Sequence, residues 1–147
     1  MTKAYRHPVW ILIILGLGGL LIIALTWFLY LGVYLTIESL FYATRPQHVP
    51  VDQIRQGTAI GLTLIAYWVM RSKINALFKA LIIMSPISMV LVTLIFRVYM
   101  NPTALILTIM GFTGLLVAAI KLTKLPWFFY VAVGLSILIS TIYAWPR

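Results

Sequence analysis

The sequence predicts an all-α integral membrane protein, a bundle of five transmembrane helices with short loops, N-terminus inside and C-terminus outside. Three observations carry that prediction. Hydrophobic residues make up 63% of the 147 positions and charged residues 9%, against about 25% charged in soluble domains; the mean hydropathy is +1.09. Five apolar runs follow one another with little polar sequence between them, and each approaches the ~20 residues that a membrane crossing needs. Basic residues divide unevenly between the two sides that five crossings define, which sets the orientation.

The first run covers residues 9–31 with an extension to 43. Lys3 and Arg6 ahead of it resemble a secretory leader, but the run far exceeds the ~7–15 residues of a leader's apolar core, so the reading is a retained anchor. Trp10 marks the inner interface and Trp27 with Tyr30 the outer one. A single helix over 9–43 would measure about 52 Å against a hydrocarbon core of about 30 Å. Its last turns therefore project outward, tilt, or bend near Gly32.

Residues 44–53 form the longest loop, and Asp52 is expected to cap the second helix, 54–70. The third run, 74–100, holds Pro86 in its interior. Proline removes a backbone donor and predicts a kink, with the Ser85 and Ser88 hydroxyls placed to satisfy the freed carbonyls. Asn101 followed by Pro102 reads as cap and first helical position of the fourth helix, 102–120. Pro126 is assigned the same role for the fifth, 126–144. All five spans belong to one transmembrane domain, 1–147.

With these spans, Lys3, Arg6, Arg71, Lys73, Lys79, Lys121 and Lys124 fall on one side, and Arg45, Arg55, Arg97 and Arg147 on the other. The richer side is cytoplasmic by the positive-inside rule. Size and loop brevity favour a bacterial cytoplasmic (inner) membrane. The net charge of +9 is dispersed between apolar runs instead of forming the basic stripe of a nucleic-acid binder. Its expected partners are membrane lipids with anionic headgroups, together with other membrane protein subunits.

Small residues at four-residue spacing let membrane helices approach closely. Gly57 with Gly61, and the row Ala132, Ser136, Ser140, Ala144, are the main instances. They either pack the five helices together or dock a partner, and the terminal helix is the better docking candidate.

Only two acids are present, Glu38 and Asp52. Tyr34, Glu38 and Tyr42 share a helix face at i, i+4 and i+8, and Arg45 follows one heptad after Glu38. Arg97 is expected at similar depth. Glu38 thus has Arg97, Arg45, Tyr34 and Tyr42 as candidate partners in an outer polar site, since a charge turned into the bundle needs compensation. His48 and Asp52 stand four apart, which is too few ligands for zinc.

There is no cysteine, and no nucleotide-binding, metalloprotease or serine-hydrolase motif is found. No catalytic residue, metal site or cofactor is therefore expected, and an enzyme is the least favoured class. The leading expectation is a non-catalytic scaffold, anchor or regulatory subunit of a larger membrane complex. The alternatives are a small transporter or channel component working through Glu38, and a protein that binds lipid or another hydrophobic ligand.

Overall fold

The chain forms five α-helices in a computed structural model that describes residues 8–42 and 50–145, and for residues 41 and 42 the backbone alone. They are α1 (Pro8–Tyr42), α2 (Val51–Arg71), α3 (Ala76–Val98), α4 (Pro102–Leu122) and α5 (Phe128–Ala144), with no strand among the described residues. Helices α1, α3 and α4 are long and apolar enough to cross a membrane, while α5 is apolar but shorter, at 17 residues. The first helix is continuous across the full 35 residues, through Gly32.

Local chemistry sets the helix ends. Asn101 accepts a hydrogen bond from the Ala104 amide at 3.2 Å and Pro102 opens α4, as the sequence predicts. Asn75 caps α3 by accepting from the Leu77 amide at 3.1 Å. Asp52 does not cap α2: that helix starts at Val51 after Pro50, so Asp52 lies in its first turn, where a negative charge complements the helix dipole. Similarly α5 begins after Pro126, because the Pro126 carbonyl first accepts from Phe129 in a tight turn.

The end of α4 is a Schellman motif, in which Leu125 N–H bonds to Ile120 and Lys124 N–H to Lys121. It places Lys124 at φ 51°, the left-handed conformation that usually selects glycine.

Successive helices run in opposite directions. Gly18 and Gly19 of α1 lie against Leu81 and Met84 of α3, and Thr26 lies against Ser85, so α1 and α3 ascend together. Ser88 meets Ser140, and Phe129 joins Ala80 in one apolar cluster, so α5 ascends with them. Met70 near the end of α2 accepts from Lys79 near the start of α3, while Arg55 near the start of α2 covers Phe96 near the end of α3. Helix α2 is therefore antiparallel to α3. Leu105 clusters with Ala144 at one end, and Ile120 with Phe128 at the other, which makes α4 antiparallel as well.

Helix α3 is the centre of the bundle and packs against all four others. Ala80, Met84, Met89, Leu91 and Val92 are fully buried. Charged side chains sit at the two ends: Glu38, Asp52, Arg55 and Arg97 at one, Arg71, Lys73, Lys79, Lys121 and Lys124 at the other. The apolar flanks of α1, α2 and α4 face outward, with Phe28, Trp68 and Leu115 among their exposed side chains.

Candidate functional site

Three arrangements in the bundle carry polar or ligand-accessible chemistry: a buried line of hydroxyls, a charged and aromatic end, and two apolar grooves along α2. Each follows from which residues the antiparallel packing brings opposite one another.

The hydroxyl line flanks Pro86. Thr26 Oγ1 donates to its own helix at Ile22 O, 2.8 Å away. A hydroxyl has one proton, so in the 2.6 Å Thr26–Ser85 contact Ser85 is the donor. Three residues on, Ser88 accepts from Ser140 of α5 at 2.8 Å. Ser85 and Ser88 thus join α3 to α1 and α5, instead of turning back to the carbonyls freed by Pro86. The helix continues through Pro86, which is itself buried. Ser136 donates to Ala132 O at 2.8 Å within α5.

Ala132, Ser136, Ser140 and Ala144 are all buried, at 2% exposure or less. The small row of α5 packs inside the bundle against α3 and is closed to a partner; small side chains there let the two backbones approach. Gly57 and Gly61 behave in the opposite way. A Cβ added at either would meet nothing within 4 Å. Both glycines line a groove of about 520 Å³ between α1 and α2, walled on the α1 side by Leu29, Val33 and Ile37.

At the charged end, Arg55 is 12% exposed and pairs with Asp52. Its guanidinium lies 4.8 Å from the Phe96 ring centroid, a cation–π distance. Trp27 packs on Tyr143 at 4.4 Å, and Tyr30 bridges Trp27 to Tyr34. Arg55 Nε and Thr141 Oγ1 are buried without a hydrogen-bond partner among the described residues.

Glu38 is half-buried on the C-terminal part of α1 and forms no ion pair with Arg97; Asp52–Arg55 is the ion pair among the described residues. The Tyr34 ring lies 6.4 Å from that of Tyr30, tilted by 37°, and Tyr34 makes no hydrogen bond to Glu38. Arg45 and the Tyr42 side chain lie outside the described residues, as does His48. The Arg55–Asp52 pair escapes sequence reading because the second helix is predicted to start at residue 54. Once the helix starts at 51, the i, i+3 spacing places them together.

On the other flank of α2, a groove of about 330 Å³ against α3 has Gln56 and Arg97 at one end and Ile60, Leu64, Val90 and Leu94 along its walls. A second hollow of about 380 Å³ continues it through Thr63 and Val90 towards Met70, Ile83 and Phe112. Thr63 and Thr93 donate to the carbonyls of Ala59 and Met89 in their own helices, so these groove walls offer no free hydroxyl proton. Among the described residues no cluster of three or more His, Cys, Asp or Glu side chains is placed to hold a metal ion. No protein family, curated protein or solved structure matches the chain.

Proposed function

We propose that this chain is a non-catalytic integral membrane subunit, a five-span bundle that scaffolds, anchors or regulates a larger membrane complex, with the α1/α2 groove as its face for a partner's membrane helix. The observation that carries the reading is the contrast between its two small-residue rows. The row on α5 is buried in the chain's own packing, whereas Gly57 and Gly61 are left without a neighbour in an open apolar groove. A GxxxG face without an internal partner is suited to close approach by a second helix. The buried hydroxyls of Thr26, Ser85, Ser88, Ser136 and Ser140 support a structural role too, because they pair with one another or with their own helices.

Five crossings are supported by the charge-free middle of the bundle and by Trp127 and Trp145, which bracket the short α5 as interfacial anchors do. In this reading the Lys79 end is cytoplasmic and the Arg97 end is outside. Short connections and small size favour a bacterial cytoplasmic membrane.

Purification from the native membrane in mild detergent tests the proposal. A membrane protein should co-purify in constant ratio and be lost with Gly57→Leu and Gly61→Leu, at positions where an added Cβ meets nothing within 4 Å. A monomeric protein without companions, or a companion indifferent to both substitutions, would overturn it.

A further inference from the structure

We propose that the groove between α2 and α3 is a binding site for one anionic phospholipid, with an acyl chain along the apolar tract and the phosphate on Arg97. This site is independent of the partner face, since Gln56, Ala59, Ile60, Thr63 and Leu64 line it while Gly57, Thr58, Gly61 and Leu62 line the other groove.

Length is the first argument. The two hollows share Thr63 and Val90 and together extend along α3 from Ile83 to Arg97. Fourteen helical rises give about 21 Å, enough for the ~15 Å half-thickness of a hydrocarbon core and the linkage region above it. Each hollow, at about 330 and 380 Å³, has the volume of an ordinary ligand pocket.

Chemical gradation is the second. Apart from Tyr67, whose ring lies 4.6 Å from the Arg71 guanidinium, the walls from Met70 to Leu94 are apolar, and their threonine protons are already donated within their own helices. At the Arg97 end, Gln56 and Arg97 both line the groove. Charge is the third argument. Arg55, the neighbouring cation, is neutralised by Asp52 and covers Phe96. Arg97 is exposed and has neither ion pair nor hydrogen bond with a described residue. A guanidinium fork at the mouth of an apolar tract matches a phosphate diester, which it can bind through two parallel hydrogen bonds.

The test uses the full chain in nanodiscs of phosphatidylcholine containing a minor fraction of phosphatidylglycerol, released and weighed by native mass spectrometry. One phosphatidylglycerol should remain bound in preference to phosphatidylcholine. Arg97→Gln should weaken its retention about fivefold, the equivalent of ~1 kcal/mol for one basic contact to an anionic lipid. Lys121→Gln, which removes an exposed charge at the opposite end, should leave retention unchanged. Leu64→Trp, at an exposed position on the groove wall, should reduce retention without altering charge. Equal effects of Arg97→Gln and Lys121→Gln would reduce the binding to general electrostatics and overturn the site. So would equal retention of the two lipids, or indifference to both groove substitutions.

Discussion

At the scale of single residues, two hydroxyl pairs, Thr26–Ser85 and Ser88–Ser140, join α3 to α1 and α5 across contacts that are otherwise largely apolar. Interhelical hydrogen bonds between membrane helices average about 0.6 kcal/mol, so the Thr26–Ser85 bond is a modest contributor. A double-mutant cycle with Thr26→Val and Ser85→Ala, read by reversible unfolding in detergent, should return a coupling of about 0.6 kcal/mol, with an upper bound of ~1.7 kcal/mol. Zero coupling would mean that the two hydroxyls do not meet. These hydroxyls are individually visible in the sequence, but their partners stand 59 and 52 positions away. A threonine that bonds its own helix and one that also reaches across look the same at that level. Glu38 shows the opposite case, since its rarity draws attention while the described ionic contact lies at Arg55 and Asp52.

Helices make the same point at larger scale. Their existence was legible because apolar runs and caps such as Asn101–Pro102 are local, and all five predicted segments form helices. Their faces were not, since a helix apolar all round has no polar stripe to reveal which side is covered. In α1, buried Leu15 and exposed Leu17 are the same residue type two positions apart. For α5 the small row does mark a face, the one against α3. Ser136 is fully buried, while a side chain added at Gly134 meets nothing within 4 Å. Ser136→Leu should therefore destabilise the bundle by about 1–3 kcal/mol through overpacking, and Gly134→Leu should be tolerated. Thermal unfolding in detergent distinguishes the two, and equal losses would refute the assigned face.

For the whole molecule, the separation of charges into two end groups makes orientation a testable property. The chain has no cysteine, so single cysteines can serve as clean reporters. Met100, 94% exposed between α3 and α4, and Lys73, between α2 and α3, occupy opposite ends. In intact cells, Met100→Cys should react with a membrane-impermeant maleimide and Lys73→Cys only after the membrane is opened. Labelling of both from the same side would defeat the five-span topology. Reversed labelling would defeat the charge-based orientation while preserving the spans.

The central position of α3 also governs the order in which the molecule can be completed. Helices α1 and α2 are made first, yet they touch each other sparsely and each relies on α3. Helix α3 in turn presents Ser88 to a partner that is synthesised 52 residues later. At about 5–20 residues per second, that partner follows after roughly 3–10 s. The bundle is thus late-closing: the growing chain holds an open side on its middle helix until α5 is made, and a truncation before Ser140 leaves the Ser88 hydroxyl without this partner.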